Sequence, residues 1–226
     1  MTSLLEKIIT IIAPNYCISC GKQDNILCES CIISEHNLGF PACALCAKPS
    51  KDWRLCEACN RVSDLRCIWP AALYEGHFER VLHLLKFERS REAHMPLTTA
   101  MLAMLPYDDW IVVPLPTAAK RVRQRGYDQA VLLGQAIARS RGLSARQVLE
   151  RVQSTRQLGA NRVQRHKQSA KMFCIAPDVD VHGAKILLVD DVCTTGATLT
   201  AAARLLRQAG AVQVDAVVAA WRPPKS

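Results

Sequence analysis

The sequence predicts an α/β fold with a mainly parallel sheet, preceded by a small cysteine-rich unit. From about residue 68 onward, apolar runs of strand length alternate with segments in which apolar residues recur every three or four positions. That alternation is typical of a parallel sheet with helices on both faces. Before residue 60 the chain instead carries four Cys-x-x-Cys pairs. We therefore expect two units, residues 1–66 and residues 67–226.

The second unit begins with two predicted helices and a strand. The segment "WPAALYEGHFERVLHLLKFE" changes from a strand-like run into a helix near Gly76. Four apolar residues of this helix fall on one face, namely Phe78, Val81, Leu82 and Leu85. A second helix is predicted at about residues 96–105, and "WIVVPLP" predicts a short strand that two prolines end.

Four further segments complete this unit. Residues 127–141 predict a helix that ends at Gly142, a common signal of a helix C-terminus. "KILLVDD" is a continuous apolar run, as expected of a strand buried on both faces. "ATLTAAARLLRQAG" predicts a helix that stops at Gly210, and "AVQVDAVVAAW" predicts a last strand.

Composition favours a folded protein without a membrane span. Half of the 226 residues are hydrophobic and 22% are charged, which favours a packed core over bulk disorder. No apolar run reaches the roughly 18–20 residues that a membrane span needs. The first residues lack a basic head and are interrupted by Glu6 and Lys7, so they predict an amphipathic helix and not a signal peptide. We expect a cytoplasmic protein.

The positive charge is concentrated in one segment. Residues 120–171 hold 13 Lys and Arg against 2 Asp and Glu, whereas residues 1–119 hold 11 against 13. Such a block suits a polyanion: nucleic acid, pyrophosphate or a nucleotide. A well-solvated basic face is the alternative, including for the three arginines at alternate positions, Arg121, Arg123 and Arg125.

The cysteine pairs predict two structural zinc sites. Two residues between cysteines let both sulfurs face one centre, and two such pairs complete a tetrathiolate around zinc. Successive pairs are expected to share an ion, which gives one site of Cys17, Cys20, Cys28 and Cys31 and a second of Cys43, Cys46, Cys56 and Cys59. Spacing alone also permits crossed pairing. With all four positions filled, neither site is expected to be catalytic.

A disulfide framework is the alternative to zinc. It needs an oxidising compartment, and the sequence shows no export signal. Zinc also has a physical role here, because residues 15–66 hold too little apolar material for a core and metal binding supplies folding free energy. Gly21 suits the positive φ angle of a cysteine knuckle. Cys67 and Cys174 are expected to be small buried hydrophobes, and Cys193 a packing residue.

The stretch "ILLVDDVCTTGATL" predicts a strand, a turn and a helix that hold a phosphorylated ligand. Asp190 and Asp191 are expected at the tip of the strand, followed by the turn Val192–Ala197 and a helix N-terminus. Free N–H groups at such a terminus hold phosphate, and Gly196 lets the backbone approach it. Hydroxyl donors come from three threonines, Thr194, Thr195 and Thr198.

The two carboxylates in this stretch need a different ligand group. They suit sugar hydroxyls, directly or through Mg²⁺, because direct contact with the phosphate would be repulsive. Ordinary helix capping by Asp and Thr is the alternative for the stretch taken by itself.

This stretch resembles the phosphoribosyl pyrophosphate (PRPP) motif of type I phosphoribosyltransferases. Together with the cysteine-rich head, it resembles the ComF family of competence and DNA-utilisation proteins, which includes GntX. The resemblance covers nearly the whole chain through the cysteine pairs, "LYEGHFERVLHLLKF", "VPLP", "RQRGYDQA", "STRQ", Phe173 and the PRPP motif. It implies a type I phosphoribosyltransferase fold after an N-terminal helix and a double zinc ribbon.

The resemblance also implies roles for individual residues. Asp190 and Asp191 would bind the ribose hydroxyls and, with Lys86, form the catalytic group. The 5′-phosphate loop would be Thr194, Thr195, Gly196, Ala197 and Thr198. Pyrophosphate would lie at the loop of Val113, Pro114, Leu115 and Pro116. Contacts to nucleic acid or pyrophosphate would come from Arg121, Arg123, Arg125, Gln129 and Arg165. For Lys86, an exposed helix position is the alternative.

The chain departs from the family pattern at two positions. Asp128 stands where Asn often follows "RGY", and Gln168 stands where Asn usually lies five residues before Phe173. Residues 157–165 match the flap of phosphoribosyltransferases, so the second departure lies close to that flap.

Three functions are compatible with these residues. One is an accessory role in DNA uptake or use, with PRPP, a nucleotide or single-stranded DNA as ligand and DNA-uptake, helicase or recombination proteins as partners. A second is Mg²⁺-dependent transfer of ribose 5-phosphate from PRPP to an unknown acceptor. A third is nucleic-acid binding by the zinc ribbons. Aromatic residues make up only 5% of the chain, which disfavours a purely single-strand-binding protein.

Overall fold

The computed structural model describes residues 15–23, 25–35, 38–152 and 172–224. The helices in these ranges are α1 (Glu29–Glu35), α2 (Glu57–Ser63), α3 (Gly76–Phe87), α4 (His94–Met104), α5 (Ala119–Arg125), α6 (Gln129–Arg141) and α7 (Ala197–Gln208). The strands are β1 (Ile68–Pro70), β2 (Ile111–Pro114), β3 (Ser144–Ala145), β4 (Leu149–Arg151), β5 (Phe173–Ile175), β6 (Lys185–Cys193) and β7 (Gln213–Trp221). The predicted N-terminal helix and the predicted flap, with Arg165 and Gln168, lie outside the described residues.

Five strands form one parallel sheet in the order β1-β7-β6-β2-β3. At its centre β6 pairs with β7 from Lys185 opposite Gln213 to Cys193 opposite Trp221. The apolar run 186–189 of β6 is fully buried, as expected of a central strand with both faces covered. The prediction of a mainly parallel α/β sheet is therefore confirmed. Strands β4 and β5 form a separate antiparallel ribbon.

The helices cover this sheet with their apolar faces. In α3 the four residues predicted to share a face are each at most 2% exposed. Helices α4 and α6 pack against each other, and α7 packs against β6 and β7. Among the helices of the described ranges, none combines the length and apolar character that crossing a membrane requires.

Three local predictions are wrong. Strand β6 continues to Cys193, because Val192 and Cys193 still pair with β7, so the carboxylates precede its end and the turn is shorter. The loop expected after β2 contains helix α5. Cys174 is exposed and not buried, because its neighbour Phe173 takes the buried position of the short strand β5.

The cysteine-rich part is joined to the sheet by an ion pair between the partly exposed Arg66 and the buried Asp215. Arg66 donates from Nε and from Nη2 to the two carboxylate oxygens of Asp215 in β7, at 2.9 and 2.8 Å. Asp215 has no exposed surface, and Trp110 Nε1 also donates to it at 3.1 Å. A buried carboxylate needs such partners, so this contact helps to hold the N-terminal part against the sheet.

Candidate functional site

Each group of four cysteines converges on a single point. The sulfurs of Cys17, Cys20, Cys28 and Cys31 lie within 4.8 Å of one another, as do those of Cys43, Cys46, Cys56 and Cys59. Zinc–sulfur bonds of about 2.3 Å in a tetrahedron place sulfurs about 3.8 Å apart. Sulfurs of Cys46 and Cys56 are 3.6 Å apart, and those of Cys20 and Cys28 are 3.7 Å apart. Pairing is therefore successive, and both groups could bind a metal ion.

The backbone forms a knuckle in each group, and the surroundings shift the thiol pKa values in both directions: burial raises the pKa of Cys59, whereas the pKa values of Cys56 and Cys28 are lowered. Gly21 follows Cys20 with φ of 72°, as predicted for a knuckle, and Ala47 takes the equivalent position after Cys46 with φ of 59°. The N–H of Cys59, followed by neighbouring thiols, lowers the pKa of Cys56 to about 7. A hydrogen bond from Ser30 is the main cause that lowers the pKa of Cys28. Thiolates are the form that zinc binds.

A network of polar side chains converges on Asp191 near the end of β6. Lys86 Nζ, from the last turn of α3, lies 3.1 Å from one Asp191 oxygen, and Gln129 Nε2, from the start of α6, donates to the other at 2.9 Å. Arg125 in turn donates to Gln129 Oε1 at 2.6 Å. The structure thus brings four of the residues selected from the sequence into one connected group. Lys86 is mostly buried there, not exposed as in the alternative reading.

The second carboxylate, Asp190, is held in an unfavourable environment for its charge. Burial, followed by the neighbouring charge of Asp191, raises the pKa of Asp190 to about 8, although Lys86 opposes the shift. The carboxylate oxygen Oδ1 accepts a bond from the Asp191 N–H at 2.8 Å. An acid with this raised pKa is mostly protonated near neutral pH, and a cation placed beside it would favour its charged form.

We expect Asp190→Asn to stabilise the protein increasingly as the pH rises. The folded protein keeps a proton on Asp190 between about pH 4 and pH 8 that the unfolded chain has released, so the wild-type free energy of unfolding falls across that range. Asparagine cannot ionise, and from pH 6 to pH 8 its advantage should grow by up to about 2 kcal/mol. Thermal unfolding at both pH values measures it. The exposed Asp109→Asn is the matched control, and an advantage independent of pH would contradict the expectation.

The turn that follows β6 presents donors to solvent. Thr194 and Thr195 are exposed, and Gly196, with φ of 69°, leads into α7. The first N–H groups of α7 have no partner within the helix and carry partial positive charge. The carboxylates of Asp190 and Asp191, which can only accept when ionised, lie within the last residues of β6. The hydroxyl and N–H donors lie in the turn that follows it.

The loop after β2 lies directly beside the carboxylates. Pro114 is opposite Val189 in the sheet, and the Leu115 N–H donates to Val189 O at 2.9 Å. Helix α6 approaches this loop so closely that a Cβ on Gly134 would lie 2.8 Å from Pro114 Cγ. The predicted pyrophosphate loop is thereby placed next to Asp190.

Asp128 has a structural role that explains its presence. Its two oxygens accept bonds from the Thr117 N–H, the Thr117 hydroxyl and the Ala130 N–H, each at 3.0 Å. It thus caps α6 and closes the loop after β2 at once. Asparagine offers a single acceptor oxygen and could not reproduce this arrangement.

A basic cavity of about 300 Å³ adjoins the Asp191 network. Its lining consists of Lys86, Phe87, Arg89, Arg121, Gln124 and Arg125. Arg121 and Arg125 lie one turn apart on α5 and therefore share a face, whereas Arg123 points elsewhere. Four cations and no carboxylate surround this space, which makes it attractive to an anion.

Sequence reasoning missed several residues around the site. Phe87, Arg89 and Gln124 belong to the cavity, and Thr117 holds Asp128. Had the sequence analysis predicted helix α5, it would have placed Arg121 and Arg125 on one face of the helix and Arg123 on another. No local signal in the sequence places Phe87 or Arg89 beside α5, because that contact depends on how α3 packs.

Comparisons of the sequence with known proteins find a matching domain family and several relatives. The family described as the phosphoribosyl transferase domain matches residues 128–225. Competence protein ComFC of Bacillus subtilis is 27% identical over 84% of this chain and 81% of its own length. The DNA utilization protein YhgH of Salmonella typhi is 29% identical over 88% of this chain and 86% of its own.

The solved structures that match include glutamine PRPP amidotransferase from B. subtilis. The similarity has a TM-score of 0.43 and 19% identity, and it covers 58% of this chain and 26% of that chain. Strands β3, β6 and β7 of the parallel sheet lie in the part of the chain that matches the phosphoribosyl transferase domain. The two cysteine groups precede that part, and the competence relative matches most of the chain. The chain is thus similar over most of its length to competence and DNA utilization proteins, and a part that follows the two groups of four cysteines matches the phosphoribosyl transferase domain.

Proposed function

We propose that this protein binds PRPP together with Mg²⁺ at the end of β6. The observation that carries the proposal is the carboxylate pair followed at once by the Gly196 turn and the N-terminus of α7. A phosphorylated sugar meets both demands. Asp190 and Asp191 would hold the ribose hydroxyls, directly or through Mg²⁺, and the residues 194–198 would hold the 5′-phosphate.

The pyrophosphate of PRPP would lie between the loop after β2 and the basic cavity. Leu115 places that loop beside the carboxylates, and Lys86 both contacts Asp191 and lines the cavity. Arg121 and Arg125 would add positive charge to the same side. Sugar, phosphate and pyrophosphate would thus each meet the donor or acceptor groups that their chemistry requires.

We further propose that both cysteine groups hold zinc and that the metal has a structural role. All four positions of each site are taken by sulfur, so no position is left for a reacting water. Residues 1–66 would form this zinc-binding unit and residues 67–226 the PRPP-binding unit.

The biological role that we propose is the uptake or use of DNA. The names of the relatives, competence protein and DNA utilization protein, support it. Partners would then include single-stranded DNA and proteins of DNA uptake, unwinding or recombination. The basic cavity, with the exposed Phe87 at its edge, supports a path for a phosphate backbone.

Binding of single-stranded DNA should weaken steeply with salt. Each neutralised phosphate contributes about −0.7 to the slope of log affinity against log salt, so Arg121→Ala should reduce that slope by roughly 0.7. Arg139→Ala, an exposed arginine of the same basic segment, should leave it unchanged. A salt titration with a short oligonucleotide measures both. A flat wild-type slope would identify the basic segment as merely solvated.

The second candidate function is phosphoribosyl transfer. In that reaction a nucleophile bonds to C1 of the ribose while the C1–oxygen bond to pyrophosphate breaks and pyrophosphate leaves with the electron pair. The position of Lys86, between Asp191 and the basic cavity, favours it, because a cation there would stabilise the leaving group.

Calorimetry tests the first proposal directly. Wild-type protein should bind PRPP with Mg²⁺, and more weakly without it. Absence of binding in both conditions would overturn the PRPP site. Release of pyrophosphate on addition of candidate bases or nucleosides would distinguish the transferase from a protein that only binds.

A further inference from the structure

The second cysteine group touches the turn that follows β6. Leu45 lies between Cys43 and Cys46, and its side chain covers Gly196: a Cβ built on Gly196 would overlap Leu45 Cδ2 and lie 3.5 Å from Leu45 Cγ. The same position is 3.9 Å from Cys193 Sγ, which is 1% exposed. The knuckle of residues 43–46 therefore forms one wall of the predicted phosphate turn.

The knuckle is held rigidly against this end of the sheet. Trp221 Nε1, at the end of β7, donates to Ala44 O at 2.9 Å in a buried contact. Trp53 meets Trp221 edge to face with ring centroids 5.9 Å apart. The Arg222 N–H donates to Cys193 O at 2.9 Å, so the same end of β7 also ties down the start of the turn. Both sides of the Leu45 contact are thus anchored to β7.

Gly196 serves this contact in two ways. Its positive φ of 69° directs the chain from β6 into α7, a conformation that side chains disfavour. Its missing Cβ also leaves the space that Leu45 occupies. Thr194 and Thr195 are exposed, so the outer side of the turn faces solvent. The contact with Leu45 on the inner side therefore helps to hold the donors of the turn in place before a ligand binds.

We propose that Leu45 is a positioning residue of the PRPP site, through which the second cysteine group, and not the first, sets the shape of the phosphate turn. The inference rests on the proposed PRPP function. It gives the N-terminal unit a role at the ligand site beyond stability: a metal bound at the second group would fix the knuckle, the knuckle would fix Leu45, and Leu45 would fix Gly196.

The test compares Leu45→Ala with a matched knuckle residue. Ile18→Ala removes an apolar side chain between Cys17 and Cys20 of the first group. We expect Leu45→Ala to weaken PRPP affinity about threefold to tenfold, a loss of about 0.7–1.4 kcal/mol. Ile18→Ala should not change affinity, and Leu45→Met, which keeps an apolar cover of similar volume, should restore most of it. Metal content must equal that of the wild type in every variant.

A second measurement separates this inference from the PRPP proposal. Cys193 lies under the turn, so alkylation of Cys193, followed by peptide mass spectrometry, reports how tightly the turn is packed. It should proceed faster in Leu45→Ala than in wild type or Ile18→Ala. Should wild type bind no PRPP while this difference holds, the ligand proposal fails and the positioning by Leu45 stands. Equal PRPP affinities for wild type and Leu45→Ala, or equal alkylation rates, overturn the role of Leu45.

Discussion

Loss of metal from either cysteine group is expected to unfold the N-terminal part of the chain. Cys20→Ser and Cys59→Ser each remove one of four converging sulfurs. Structural zinc supplies about 10–16 kcal/mol of apparent binding free energy in zinc-finger peptides, which a unit of this size cannot replace from its own core. Elemental analysis should therefore give about two zinc ions per wild-type chain and about one in each variant.

Tryptophan fluorescence follows the structural effect of metal loss. Trp53 is 6% exposed and packs on Trp221, so its emission should shift to the red when the second group loses its metal. The control is Cys174→Ser, because Cys174 is exposed and outside both groups. Wild-type protein without zinc, or a Cys174→Ser variant that behaves as Cys59→Ser does, would contradict the metal sites.

The second large effect is expected at Asp191. Asp191→Asn keeps the shape of the side chain but loses the charge that pairs with Lys86 at 3.1 Å. Losing one partner of a mostly buried pair leaves the other charge uncompensated. We expect affinity for PRPP with Mg²⁺ to fall at least about tenfold, or about 1.4 kcal/mol, because the proposed acceptor for the ribose and the cation is weakened.

The affinity of Asp191→Asn for inorganic pyrophosphate without Mg²⁺ should not fall, and this difference from PRPP makes the test specific. With a neutral side chain at position 191, Lys86 is free to contact an anion in the basic cavity. Pyrophosphate should therefore bind Asp191→Asn at least as tightly as it binds the wild type. Asp109→Asn changes the same charge on an exposed residue far along the chain and should alter neither affinity. If Asp191→Asn weakens both ligands equally, a general loss of structure accounts for the effect.

Short-range patterns in the sequence were sufficient to predict the candidate metal-binding cysteines and the burial of individual helices and strands. Cysteine spacing predicted four pairs of thiols that could bind metal, because two residues between thiols bring their sulfurs together, but spacing left the grouping of the pairs open. The apolar run of β6 and the helical period of α3 predicted their burial correctly, since each depends on a repeat within one element. The predicted end of β6 was wrong, because pairing with β7 and not local composition decides where it stops.

Long-range contacts decided the remainder of the site. Gln129 and Asp191, which form part of the site network, are 62 residues apart in sequence. Family patterns placed Lys86, Gln129 and Arg125 near the site, but no period or spacing within the chain shows that they form one network. Phe87 and Arg89 reach the basic cavity only because α3 packs beside α5.

By itself the sequence determined which chemical groups are available: four Cys-x-x-Cys pairs, a carboxylate pair and a donor-rich turn. It did so because those groups lie within a few residues of one another. Only the tertiary structure decided that Lys86 neutralises Asp191, that Asp190 is left with a raised pKa, and that Leu45 of the second cysteine group rests on Gly196. Such contacts depend on the docking of separate elements, and that docking follows from burial over the whole fold.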